Sequence, residues 1–179
     1  MEPETIDDLL LYRLSRLHAV GGAPVVRLCE GRYGITRREW RLIVVLARHG
    51  AMLSSQLARL AQLEPARTSR AVTDLVTKGL VERAPRPGDR RQVQVALTLA
   101  GQTLHARFFP EVVAINQQLL SVLSPPEREV LDACLSRLQA AADRRLAEAD
   151  LPKANRRQGR RRAVPGDGVR SAPGRTLGP

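Results

Sequence analysis

Between Ser54 and Thr98 the spacing of apolar residues changes its period, and this restricts the fold more than any other feature of the chain. Leu57, Leu60 and Ala61 recur at helical spacing as far as about Gln62, with Ser54 available as an N-cap. Leu63-Glu64-Pro65 then makes a tight turn, Pro65 being suited to the first position of a helix. Val72, Leu75 and Val76 carry that helix to Lys78, and Gly79 stops it. From Leu80 onward the period falls to two. Leu80 to Ala84 and Gln92 to Thr98 read as strands, with Val93, Val95 and Leu97 on one face, around the turn Pro85-Arg86-Pro87-Gly88-Asp89-Arg90.

Two short helices, a tight turn and an immediate hairpin describe a winged helix-turn-helix with a two-stranded β-wing, within a mainly α fold. Helical patterns flank it on both sides. Ile6, Leu9, Leu10, Leu14 and Leu17 predict a first helix, with Thr5 as its N-cap. Gly21, Gly22 and Pro24 interrupt it before a shorter stretch to about Arg32. Thr36-x-x-Glu39 is a capping box opening a helix through Trp40, Leu42, Ile43, Val44 and Leu46 to Gly50. Thr98 can cap a long helix that carries Leu104, Phe108, Val112, Val113, Ile115, Leu119 and Leu120, with a kink or break predicted at Pro110. A second capping box, Ser124-Pro125-Pro126-Glu127, starts a helix along Leu131, Leu135, Leu138, Ala142 and Leu146. The expected layout is one domain over 1–149, with a winged lobe at about 36–100 and flanking helices at about 5–32 and 99–149.

The charge is distributed unevenly. The chain is +11, and 27 of its 29 cations are arginine. Residues 150–179 hold eight cations (Lys153, Arg156, Arg157, Arg160, Arg161, Arg162, Arg170 and Arg175) against Asp150 and Asp167, a net +6. With almost no apolar periodicity, that stretch reads as a disordered Arg-rich tail. A polyanion is the partner such a balance suggests first. Two cysteines cannot form a disulfide framework, no Cys/His cluster suggests a metal, and no apolar run approaches a membrane span. Glu2, Glu4, Asp7 and Asp8 stand where a signal peptide would be basic, so the expectation is a soluble cytoplasmic protein without cofactor. No catalytic constellation is visible: His18, His49 and His105 are scattered and no phosphate loop is present. Enzymatic activity is not expected.

The second helix of the pair has an outward stripe suited to the major groove. Arg67, Arg70, Ala71, Asp74 and Lys78 lie opposite Val72 and Leu75, and Thr68 and Ser69 add hydroxyls at the N-terminal end. Arginine can read guanine bidentately, while Ser and Thr can hold phosphate or a base edge. A plain solvated face, with Asp74 paired to Arg70 or Lys78, accounts for the same stripe. The hairpin tip favours DNA, because Arg86, Arg90 and Arg91 surround a Pro-Gly turn able to reach a minor groove. Asp89 reads as structural, capping the turn or clamping Arg91.

Asp89-x-Arg91 followed by Leu97-Thr98-x-x-Gly101, and preceded by Ser69-Arg70 and Lys78-Gly79-Leu80-Val81, resembles the wing signature of MarR-family transcription regulators. The resemblance covers roughly Leu9 to Leu146, and it makes the lobe at about 36–100 the DNA-binding lobe and the helices at about 5–32 and 99–149 the dimerisation helices. It implies a homodimer on pseudo-palindromic double-stranded DNA, a repressor more often than an activator, relieved by a small-molecule effector. It places Thr68, Ser69 and Arg70 at recognition-helix contacts and Arg91 at the wing arginine of the minor groove, held by Asp89. Asp74 stands where members often carry a base, and the tail lies outside the pattern. The effector would sit between dimer helices and DNA-binding lobe, where Tyr12, His18, Arg27, Tyr33, Trp40 and His105 are the polar or aromatic residues available; packing roles explain each of them as well. Cys29 could sense oxidants if Arg27 and Arg32 lowered its pKa, or could be a buried structural thiol. Cys134 reads as core. Apolar stripes on the first and last helices call for burial against a second copy or against each other. The competing functions are a sequence-neutral architectural DNA-binding protein relying on the tail, and a winged helix that contacts another protein.

Overall fold

A computed structural model describes residues 3–86 and 88–150; at positions 86 and 89–91 it describes the backbone only. A short 3-10 turn (Ile6–Asp8) precedes α1 (Leu10–Gly21), α2 (Ala23–Gly31) and α3 (Arg37–His49). Strand β1 (Met52–Leu53), α4 (Ser54–Leu60), α5 (Pro65–Thr77), β2 (Val81–Arg86) and β3 (Asp89–Leu97) follow, then α6 (Leu99–Leu120) and α7 (Pro125–Glu148). The chain divides into two compact units after Arg128, so most of α7 stands in the second.

The mainly helical winged architecture is present, with one addition. The sheet has three antiparallel strands in the order β1-β3-β2, because Met52 and Leu53 pair with Val95 and Gln94. Two residues are too few to show an alternation, so β1 has no signature in sequence. Helix starts also shift. Thr5 caps the 3-10 turn, its hydroxyl donating to the Asp8 carboxylate at 2.8 Å, and α1 begins only at Leu10. Ser54 is the first helical residue of α4 and not its cap; Leu53 occupies that place, its N–H donating to Gln56 Oε1 at 3.1 Å. At Thr36 the expected box is complete, with Thr36 N–H donating to Glu39 (2.6 Å) and Glu39 N–H to the Thr36 hydroxyl (3.2 Å).

Pro110 neither breaks nor ends α6. Proline removes one N–H from the helix ladder, a cost that flanking packing can offset. Here Phe108 is fully buried, stacked on Tyr33 (ring centroids 4.4 Å apart) and tilted against Trp40 (4.3 Å). One residue beyond the proline, Glu111 bonds to Tyr33 and Arg32.

The core joins Ile35, Leu42, Ile43 and Leu46 to Leu57, Val72, Leu75, Val81, Val95 and Phe108. Its tightest joint is at Gly101. A Cβ there would lie 2.1 Å from the Leu80 carbonyl oxygen, so only glycine lets α6 start against that backbone. Thr98 secures the same joint. Its N–H donates to Leu80 O (3.2 Å) and its hydroxyl to Gly79 O (2.7 Å), while the hydroxyl oxygen accepts from Gly101 N–H (3.1 Å). The Leu-Thr-x-x-Gly motif is thus a clasp between the end of α5, the start of β2 and α6.

Candidate nucleic-acid interface

Helix α4 is turned into α5 by Gln62, whose φ of 52° places it in the left-handed region, and by Leu63 N–H donating to Ala58 O (2.9 Å). Pro65 then opens α5 as its first residue. Thr68, Ala71, Val72 and Leu75 form the buried face of α5. The exposed face carries Arg67, Ser69, Arg70, Thr73, Asp74 and Thr77.

This divides the expected contact residues. Arg67, Ser69 and Arg70 are exposed near the N-terminal end of α5, with Arg67 Nε 3.1 Å from the Glu64 carboxylate. Thr68 is not on that face. It is fully buried, its hydroxyl donating to Glu64 O at 3.0 Å, and Ala71 is buried beside it. The stripe drawn from sequence was one residue too wide, since at 100° per residue positions 68 and 71 already turn inward.

Lys78, also expected on the contact stripe, has its ammonium bonded elsewhere. Its ammonium donates to Glu39 Oε2 (2.8 Å), Glu39 Oε1 (2.9 Å) and Gly34 O (2.9 Å). Glu39 is 1% exposed and simultaneously caps α3. One carboxylate therefore ties the end of α5 to the start of α3, and Lys78 pairs with it rather than with Asp74. The side chains of Arg86, Asp89, Arg90 and Arg91, and all of Pro87, lie outside the described residues. The hairpin carrying them is present as β2 and β3.

Arg83 escaped the sequence reading. Its Nη2 donates to the Thr73 hydroxyl at 2.9 Å, and that hydroxyl donates to Ser69 O at 3.0 Å. The available signal is register: Arg83 shares a strand face with Val81, which is buried, and a cation on that face belongs at the open edge of the sheet.

Of the expected effector residues, three meet. Trp40 and His105 stack at 5.6 Å, Tyr33 joins them through Phe108, and Phe109 covers His105 at 5.2 Å. Trp40 is core. Burial holds the His105 imidazole below its ordinary pKa. The Tyr33 hydroxyl donates to Glu111 at 2.5 Å, which raises the phenol pKa; the same bond, with the charge of Arg32, lowers that of Glu111. Tyr33 also borders an open groove of about 620 Å³ with Leu80, Leu99, Thr103, Leu104 and Arg107. A second cleft of about 420 Å³ includes His105, Leu46, Leu97 and Gln102.

The other three stand outside the aromatic cluster. Tyr12 is exposed, with the Arg16 guanidinium 5.9 Å over its ring, and Arg27 is exposed on α2. His18 Nε2 accepts from Arg37 at 2.6 Å, and the Arg37 charge lowers its pKa.

Of the two readings of Cys29, the buried structural thiol agrees with its place in the core; burial pushes the thiol up to about 11, outweighing the Arg37 charge, so Arg27 and Arg32 do not lower it. Cys134, expected in the core, is exposed. Among the described residues no helix is long and apolar enough to cross a membrane.

A MarR family model matches residues 33–92, the span that contains α3 to the wing. The HTH-type transcriptional regulator MT0903.1 of Mycobacterium tuberculosis is 33% identical over 111 residues, covering 60% of this chain and 71% of the relative. The homoprotocatechuate degradative operon repressor of Escherichia coli is 27% identical over 133 residues, covering 74% and 85%. The crystal structure of a probable transcriptional regulator from Pseudomonas aeruginosa superposes with a TM-score of 0.65 at 29% identity, covering 75% of this chain and 99% of that one.

Proposed function

The chain belongs to the MarR family of transcription regulators, and from that premise we propose that it is a small-molecule-responsive repressor acting as a homodimer on a pseudo-palindromic operator in the bacterial cytoplasm. One observation carries the reading. Helix α5 presents Arg67, Ser69 and Arg70 at its N-terminal end beside the β2–β3 wing, the arrangement that sets a helix in the major groove and a hairpin in the next minor groove. The resemblance assigns Arg91 to that minor groove with Asp89 holding it, and Arg86 and Arg90 add charge at the tip.

The second copy is supported by unpaired apolar surface. Leu11, Leu17 and Val20 on α1 and Leu131, Leu135 and Leu138 on α7 are all exposed in the single chain. Full burial of each would contribute about 1.5–3 kcal/mol. An effector is supported by the groove beside Tyr33, which combines an apolar floor with the cation of Arg107.

Fluorescence anisotropy with DNA from just upstream of the protein's own gene, against scrambled DNA over a salt series, tests the reading. A preference of about 10³-fold or more, kept when residues 150–179 are removed, supports a site-specific regulator. Equal binding to both duplexes, lost with the tail, overturns it in favour of an architectural protein.

A further inference from the structure

Arg83 occupies a position that neither the recognition stripe nor the wing tip accounts for. In the β2–β3 register it stands opposite Val95, on the strand face that also carries Val81, and both valines are buried. Arg83 itself is exposed, because β2 is the edge strand of the sheet and the side chain runs out along the flank of α5. Its side chain closes the corner between the two, Nη2 donating to the Thr73 hydroxyl at 2.9 Å. Thr73 is fixed in turn by donating to Ser69 O, so its oxygen is oriented to accept. Among the described residues no carboxylate pairs with Arg83, and the bond to Thr73 is the one its guanidinium makes. Lys78, a cation of similar location in sequence, has its ammonium spent on Glu39 and Gly34.

The geometry of a duplex says what meets that corner. When a helix fills the major groove and the hairpin after it enters the adjacent minor groove, the backbone that separates the two grooves must cross between them. A phosphate on that ridge faces the junction of α5 and β2. We infer that Arg83 holds this phosphate, with Thr73 as the positioning residue that orients the guanidinium toward it. The inference rests on the reading of α5 as the DNA helix. Arginine suits the task because its planar fork can bind two phosphate oxygens while one nitrogen stays on Thr73. Contact with a phosphate supplies affinity and register but no base preference.

The test uses the full chain and a duplex that it enriches from a random double-stranded pool, with affinity measured across a salt series. Arg83→Gln should weaken binding about tenfold, weaken an unrelated duplex in the same proportion at low salt, and flatten the log–log salt slope by about 0.9. Arg83→Lys should restore the slope with only part of the affinity. Thr73→Val should keep the slope while losing affinity a few-fold. Urea unfolding midpoints should not move. Wild-type affinity and slope in Arg83→Gln would overturn the assignment. So would a loss of affinity at unchanged slope with a lowered midpoint, because Arg83 would then only brace strand against helix. A pool yielding no enriched duplex would instead sink the reading of α5, and this inference with it.

Discussion

The lobe from α2 to the first half of α6 and the helices that flank it solve the problem of apolar surface differently. Among the described residues every buried side chain lies between Cys29 and Phe108, and α1 and α7 contain none. Yet α1 and α7 carry leucines at the same helical spacing as α3. A lobe with a closed core is complete in one chain. A helix whose Leu131, Leu135 and Leu138 remain 37% to 45% exposed leaves that face open in the single chain. The contrast teaches that amphipathic periodicity establishes a helix and a face, while burial depends on how many elements are at hand to cover it.

The strongest way to break the contrast is to open the lobe from inside. Glu39→Ala removes the carboxylate half of the α3 capping box and leaves the Lys78 ammonium without its carboxylate. Losing one partner of a fully buried pair costs about 3–5 kcal/mol; with Lys78 a third exposed to water the expected loss is about 2–3 kcal/mol. Urea unfolding checks it, and a change below about 1 kcal/mol would show that the carboxylate is not a tie. Next, Leu135→Ala on α7 should weaken self-association by about 2 kcal/mol per protomer while leaving unfolding of the dissociated chain unchanged. Sedimentation equilibrium separates that from a purely structural role.

Smaller effects sharpen the comparison. Arg70→Ala should cost about 1–2 kcal/mol in operator affinity with an unaltered unfolding midpoint, since its side chain is on the open face of α5. The smallest effect concerns pH. His18 is held below the ordinary imidazole pKa of 6.5, chiefly by the Arg37 charge, and its ring must be neutral to accept from Arg37. The unfolded chain therefore takes up the proton first. The contribution is full above about pH 6.5 and is lost progressively as pH falls toward the lowered folded value. Urea midpoints at pH 7.5 and 5.5 should differ more for the wild type than for His18→Gln.

Sequence alone carried the order of the main helices and the hairpin, but not β1, where boundaries are set by local chemistry: the Thr36–Glu39 box, Pro65, Gly79 and the strand alternation after it. It failed where the outcome depends on distant neighbours. The helix N-terminus and the family resemblance set Thr68 at the groove, and helical spacing sets Lys78 on the outward stripe. One is buried against its own helix backbone and the other is captured by a residue 39 positions away. Pro110 reads as a break, since the packing of Phe108 and Glu111 that offsets it comes from α2, α3 and the loop between them. Arg83 has no signal of its own in the sequence, because only the register shows which face it shares.

The joint at Gly101 has a mechanical consequence. With no side chain between α6 and the Leu80 carbonyl, and Thr98 bonded to both Gly79 and Leu80, the start of α6 is pinned and can rotate but not slide. The helix has 22 residues, or about 33 Å. A rigid rod of that length turning by roughly five degrees about its pinned end moves its far end by about 3 Å, by trigonometry on that helix rise. The arm works in both directions: a displacement of a few ångströms near Leu120 reaches the wing as a change of angle, without slack to absorb it.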